Sequence, residues 1–262
     1  MDISVFEDIL ETTTKTKTRR ERKVSRKQKR ETKNTFVIQQ QPLQLQNIKP
    51  KTENQKEAFI QYNYGKHLLM HGCPGTGKSF VALYLALNEV LNKPNSPHKK
   101  VIIVRSAQSG KDMGFLPGSA KQKMAVYEEP YVGICAKLFD RADAYSVLKS
   151  KGIIQFESTS FLRGVTFENA IIVFDEFQNT PIQSATTVLS RVDDNCRVIV
   201  CGDGKQDDLT SQRYKEESCA ADLVRIFKQM RGCSIINFGV NDIVRSGFVK
   251  ELITAMIKLD MV

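Results

Sequence analysis

The stretch Gly72-Cys-Pro-Gly75-Thr-Gly77-Lys78-Ser79 constrains this chain more than any other part of it. It has the form G-x-x-x-x-G-K-[ST]. A short apolar run, Lys66-His-Leu-Leu-Met-His71, leads into it, and Phe80-Val-Ala-Leu-Tyr-Leu-Ala-Leu87 follows. Glycines let a backbone wrap closely around phosphate oxygens with its N–H groups turned inward, and a helix that starts there adds the positive end of its dipole. The run after the loop is apolar around the whole helical wheel, which predicts a helix buried between a sheet and an outer layer and stopped by Pro94 and Pro97. Strand, glycine loop and buried helix together predict a phosphate-binding loop built from Gly72, Cys73, Pro74, Gly75, Thr76, Gly77, Lys78 and Ser79. Pro74 lacks an N–H and only shapes the turn. Lys78 is the residue to neutralise β- and γ-phosphates, and the Ser79 hydroxyl the one to coordinate Mg2+.

A second feature answers the first. Ala170-Ile-Ile-Val-Phe174 is a continuous aliphatic run, as expected of a strand buried on both faces of a parallel sheet, and it ends in Asp175-Glu176. Beside a phosphate loop, the first acid at such a strand end holds magnesium, and the second can activate a water. A phosphotransferase takes its nucleophile from the acceptor substrate and has no need of that second acid, so Glu176 favours hydrolysis over transfer. A third strand, Arg197-Val-Ile-Val-Cys201, runs into Gly202-Asp203-Gly-Lys-Gln206. Gln206 is thereby placed past a strand end, where an amide can bond the γ-phosphate and report its loss.

Strands are expected at 67–71, 101–105, 153–158, 170–175, 197–201 and 233–238, alternating with helical stretches. The predicted fold is therefore α/β, a mainly parallel sheet covered by helices on both faces, with the ligand at the carboxyl ends of the strands. Residues 248–257 are expected to close it as an amphipathic helix with Phe248, Val249, Leu252, Ile253, Met256 and Ile257 along one face. Phe36 to Ile48, which alternates polar and apolar residues around Pro42, suits an extended edge segment.

The net charge of +10 is concentrated in one tract. Residues 15–33 hold eleven Lys or Arg against Glu21 and Glu31, with Val24 the one aliphatic residue, so this arm cannot pack a core. A basic, flexible arm of this kind suits sequence-independent contact with a nucleic acid backbone. Ahead of it Ile3, Phe6 and Leu10 recur at helical spacing among four acids, the pattern of a short docking peptide. The expected organisation is a disordered basic arm at 1–35 and a single domain at 36–262. The longest apolar run, Phe80 to Leu87, is too short to span a bilayer, and the N-terminus lacks an apolar leader, so the expected location is the cytoplasm and no membrane partner is expected. Six cysteines without a C-x-x-C pair read as reduced thiols. His67, His71 and His98 stand at no zinc-ligand spacing, so no metal site made of protein ligands alone is expected.

With these residues assembled, the chain resembles the PhoH family of P-loop ATPases, related to superfamily I helicases, over about residues 50–258. The resemblance rests on Lys51-Thr52-Glu-Asn-Gln55, the phosphate loop, Gly114-Phe-Leu-Pro-Gly118, Lys123, Pro130-Tyr131, Arg163-Gly164, Phe174-Asp-Glu-Phe-Gln-Asn179, Gly202-Asp203 with Gln206-Asp207, and Asp242-Ile-Val-Arg245. It implies a RecA-like P-loop NTPase fold, ATP and Mg2+ as cofactors, and nucleic acid as partner, RNA more than DNA. It also implies roles that spacing does not give: Gln55 as an adenine contact, Arg245 as an arginine aimed at the γ-phosphate, and Arg163 as a nucleotide or nucleic acid contact. The chain departs from the family at Val104-Arg105-Ser106-Ala-Gln-Ser-Gly110-Lys111, where Lys111 stands in place of an acid. One motor domain with a short tail is similar to the versions that phages carry, for which the location would be the host cytoplasm.

Superfamily I helicases place ATP between two RecA-like domains, and this length accommodates one. A homo-oligomer, in the form of a ring with Arg245 acting across an interface, is the corresponding expectation. The expected function is ATP hydrolysis with or on nucleic acid, as an RNA helicase-like or remodelling motor; the alternative is a nonenzymatic ATP-gated RNA-binding module.

Overall fold

Six runs rich in Val, Ile and Leu pair into one sheet. The computed structural model describes residues 42–106, 120–159, 162, 164, 166–203 and 219–259. The acidic N-terminal segment, the basic arm, Lys111, Gly114–Gly118, Arg163 and Gln206 lie outside the described residues. A compact unit runs from Leu45 to Val262.

The strands are β1 (His67–Gly72), β2 (Lys100–Arg105), β3 (Ile154–Ser158), β4 (Ala170–Asp175), β5 (Arg197–Gly202) and β6 (Cys233–Phe238), each within one residue of its sequence-predicted bounds. The helices are α1 (Glu53–Asn63), α2 (Lys78–Asn92), α3 (Ala120–Phe139), α4 (Ala144–Ser150), α5 (Ile182–Leu189), α6 (Ala220–Gln229) and α7 (Gly247–Lys258). The sheet order is β3-β2-β4-β5-β1-β6, and every described pairing is parallel. β5 therefore lies between β1 and β4. Its carboxyl end enters the sheet edge between the phosphate loop that follows β1 and the acid pair that ends β4.

The strands read as continuous apolar runs because both faces are covered. All six residues of β4 are buried. One face contributes Ile102, Val104, Ile172, Phe174, Val198 and Val200 to a core shared with Phe167, Phe177, Val188, Leu223 and Phe227. Alternation sends Ile103, Val173 and Ile199, all buried, to the opposite face. As its all-round apolar pattern predicts, α2 buries Val81 through Leu87 without a break.

The far end of α2 is pinned by a buried polar cluster. Glu89 accepts from His98 Nδ1 at 2.6 Å, from Ser96 Oγ at 3.2 Å and from Arg197 at 3.2 Å. The Arg197 guanidinium also lies 4.6 Å from the centre of the Tyr62 ring, so α1, α2 and the start of β5 meet there. Since α2 begins at Lys78, this cluster anchors the helix that presents the phosphate loop.

Two expectations are corrected. Residues 42–50 do not add to the sheet: they form no strand, with Leu45 buried and Gln46 N donating to Leu138 O at 2.9 Å beside α3. In α7 Ile253 is buried, but Phe248 is 74% and Leu252 48% exposed. The six apolar residues of that helix cover more of the wheel than one face, and the core takes the side centred on Ile253.

Candidate nucleotide and catalytic site

The phosphate loop leaves β1 at Gly72, whose φ is +114°. A Cβ there would stand 2.2 Å from Phe238 O and 2.7 Å from Asn237 Oδ1, so only glycine lets the loop pass the end of β6. Cys73 N donates to the same Phe238 carbonyl at 2.8 Å, and Val244 N donates to Gly75 O at 3.1 Å. Gly77, at φ +81°, turns the chain into α2. Lys78 Nζ folds into the loop and donates to Gly72 O at 2.7 Å and Cys73 O at 2.8 Å. Burial pushes its pKa down, against the opposing influence of Asp203, Cys201, Glu176 and Asp175. A buried ammonium held against carbonyl dipoles is poised to exchange them for phosphate oxygens, which carry full charge.

In the first turn of α2, Ser79 Oγ donates to Asp175 Oδ1 at 2.8 Å. Tyr131, almost fully buried in α3, donates to Asp175 Oδ2 at 2.9 Å. Both oxygens of the acid are thus oriented. Burial, and after it the neighbouring Glu176, pushes the Asp175 pKa up, while the bonds from Ser79 and Tyr131 and the nearby Arg105 pull it down. Two hard oxygens 2.8 Å apart on the edge of the phosphate loop fit a hard divalent cation such as Mg2+, with Ser79 and Asp175 as the residues to hold it. Among the described residues no group of three or more His, Cys, Asp or Glu forms a metal cluster without a nucleotide.

Glu176 follows in the left-handed region at φ +53°, ψ 44°, and caps a 3-10 turn, Phe177–Asn179. Gln178 in that turn donates from Nε2 to Glu176 Oε2 at 2.5 Å and accepts from Asp203 N at 3.0 Å. The end of β5 is thereby joined to the acid pair at the end of β4.

Gln55 sits in the first turn of α1, capped by Thr52, and is buried. Its Nε2 donates to Thr76 O at 2.9 Å, and its Oε1 accepts from Lys51 N at 2.8 Å, so it lies against the phosphate loop. Arg245 is exposed, with its stem against the loop: a Cβ on Gly75 would be 3.0 Å from Arg245 Cγ. Its neighbour Asp242 accepts from Asn54 at 2.7 Å and from Gly239 N at 2.9 Å. The structure thus brings Gln55, residues 72–79, Asp175, Glu176 and Arg245 to one edge of the sheet, while Gln206 lies outside the described residues.

Tyr131 and Gln178 have roles that the residue pattern did not reveal. Each was visible only as part of the family resemblance, because nothing in local spacing tells that a tyrosine 44 positions before Asp175 returns to it. Two of the three histidines have structural roles: His98 bonds Glu89, and His67 Nδ1 accepts from Val198 N at 3.0 Å. None of the six cysteines is in a disulfide, and no helix among the described residues is long and apolar enough to cross a membrane.

The family model described as PhoH-like protein matches residues 47–257. The chain belongs to the PhoH family. Its relatives include a PhoH-like protein of Mycobacterium leprae, 30% identical over 211 residues, and one of Bacillus subtilis, 30% identical over 209. These alignments cover 79% of this chain but only 58% and 63% of those proteins, so this PhoH-family chain spans about three fifths of their length. A crystal structure of Pif1 helicase from Candida albicans aligns with 73% of this chain and 40% of its own, at 13% identity and a TM-score of 0.31, a likeness too distant to carry an argument. Every candidate site residue, from Gln55 to Arg245, lies inside the PhoH match. The all-parallel sheet with the phosphate loop after β1 is an α/β P-loop NTPase fold, as the resemblance implied.

Proposed function

We propose that this chain is an Mg2+-dependent ATP hydrolase that works with or on nucleic acid, RNA more than DNA. The observation that carries the reading is the Ser79–Asp175 hydrogen bond beside Lys78 and Glu176, which gathers a phosphate-neutralising cation, a magnesium-holding oxygen pair and a second acid at one strand edge. Bound magnesium would neutralise charge on the β- and γ-phosphate oxygens. Lys78 and Ser79 bind the phosphate end of the nucleotide, and Gln55 takes the adenine side. Glu176 accepts a proton from the attacking water as its oxygen bonds to the γ-phosphorus and ADP departs. Arg245 meets charge on the transferring phosphoryl group, and Gln206 reports its loss.

The basic arm at 1–35 supplies backbone contacts to nucleic acid, and the domain at 36–262 supplies the motor. A homo-oligomer is the assembly that would let one copy act on the nucleotide of its neighbour. The test is ATP turnover with and without single-stranded RNA or DNA, together with binding by a chain lacking residues 1–34. Stimulated turnover, and binding that loses affinity and salt dependence without the arm, supports the reading. Tight ATP binding with negligible turnover in every condition supports the ATP-gated RNA-binding module instead.

A further inference from the structure

Glu176 is held in a conformation that a non-glycine residue adopts only at a cost, with φ +53°. What holds it is Gln178, which is 2% exposed. A buried amide must satisfy both of its ends. Asp203 N can only donate, and it lies 3.0 Å from Gln178 Oε1, so the oxygen end of the amide faces β5 and the NH2 end is fixed on Glu176 Oε2, 2.5 Å away.

The amide also has no room to turn. A Cβ on Gly202 would stand 2.2 Å from Gln178 Oε1 and 2.6 Å from the Phe177 ring, so the 3-10 turn is seated directly on the end of β5. From the other side Cys219 Sγ donates to Phe177 O at 3.0 Å, tying the start of α6 to the same turn. Asp203 N and the closely packed Gly202 hold the side chain that touches Glu176, and Cys219 holds the turn that carries it.

We propose that Gln178 is the positioning residue for Glu176: it clamps one carboxylate oxygen to the end of β5 and presents the other, Oε1, to the water. This rests on the reading of Glu176 as the base. A base that is displaced by about 1 Å can lose on the order of a hundredfold in rate without any change in substrate binding. Gln178 acts on the geometry of proton abstraction and not on the grip on phosphate, which belongs to Lys78 and Ser79.

Two substitutions test it in the full chain. Gln178→Met keeps the volume and removes both hydrogen bonds, whereas Gln178→Glu keeps an acceptor for Asp203 N and removes the donor to Glu176. Steady-state kcat, the Kd for ATP in the presence of Mg2+ and the thermal midpoint are measured beside Lys78→Ala and Glu176→Gln. The proposal expects kcat to fall at least about tenfold in both variants while the Kd stays within about twofold. It further expects Gln178→Glu, which sets a second buried carboxylate against Glu176, to lower the thermal midpoint while the Kd for ATP holds. Unchanged kcat in both variants, with Glu176→Gln inactive, overturns the proposal and leaves the hydrolase reading intact. A loss of kcat that comes with a matching loss of ATP affinity and of thermal midpoint in both variants shows a merely structural glutamine and overturns it too. Equal turnover in the wild type and Glu176→Gln removes the base itself, and the proposal falls with it.

Discussion

The Ser79 hydroxyl and the Asp175 carboxylate meet at 2.8 Å across 96 positions of sequence, and their meeting joins the first turn of α2 to the carboxyl end of β4. Neither residue reaches the other through local structure. The contact depends on β5 filling the space between β1 and β4, and on Lys78 and Gly77 starting the helix at the right height.

Ser79→Ala removes one of the two oxygens offered to magnesium and leaves the phosphate loop backbone unchanged. The expected result is an Mg2+ requirement for turnover raised by about tenfold, since losing one good polar ligand costs on the order of 1–2 kcal/mol. A magnesium titration of the ATPase rate checks it, and an unchanged half-saturating concentration refutes it.

Asp175 carries a stability cost whose sign can be worked out. Its folded pKa is raised above 3.8 by burial and by Glu176, so from that pH upward the folded state holds a proton more tightly than the unfolded state does. The residue's contribution to stability therefore falls as pH rises through the folded value, and the penalty persists above it. Asp175→Asn lacks this penalty and should melt about 2–4 °C higher than wild type at pH 7.5, with the gap closing near pH 4. Calorimetric scans of both proteins at the two pH values check the difference, while turnover is lost.

Glu89 has the opposite sign. Burial acts to raise its pKa, but the His98 hydrogen bond, and next Arg197, outweigh that and bring the carboxyl from 4.5 down to about 2. Its stabilising contribution is present above pH 4.5 and is lost as pH falls toward 2. Removing the charge with Glu89→Gln strands His98 and Arg197 and should cost about 3–5 kcal/mol. Urea unfolding at pH 7 measures this, and the same variant should lose the steep acid destabilisation between pH 4.5 and 2 that the wild type shows.

Most of the fold was legible in the amino-acid order. The six strands announced themselves as aliphatic runs because parallel strands are buried on both faces, and Gly72 to Ser79 and Asp175-Glu176 stood out because their chemistry is tied to residue type and local spacing. The illegible parts were those set by tertiary contact. Phe36 to Ile48 alternates like an edge strand, yet its described part follows α3, because alternation reports a half-buried segment and not which surface buries it. In α7 Phe248 and Leu252 carry the same apolar character as Ile253, and only the packed structure tells which of them the core takes. Tyr131 and Gln178 are polar residues in a helix and a turn; Asp175 and Asp203 reach them from other elements, and only Glu176, two positions before Gln178, is local.

Gly72→Ala tests the loop's path. Both the positive φ and the 2.2 Å approach to Phe238 O forbid a methyl group there, and the obstruction is backbone, which cannot swing aside. The expected destabilisation is at least about 2–3 kcal/mol by denaturant melt, with ATP binding lost.

The most direct test of the central claim is steady-state hydrolysis of ATP with Mg2+ by the wild type, Lys78→Ala and Glu176→Gln, measured with ATP affinity for each. The expected result is turnover in the wild type alone, with ATP still bound by Glu176→Gln and bound weakly or not at all by Lys78→Ala. Turnover in Glu176→Gln equal to that of the wild type, or ATP affinity unaffected by loss of Lys78, would contradict the assignment of this strand edge as a nucleotide-hydrolysing site.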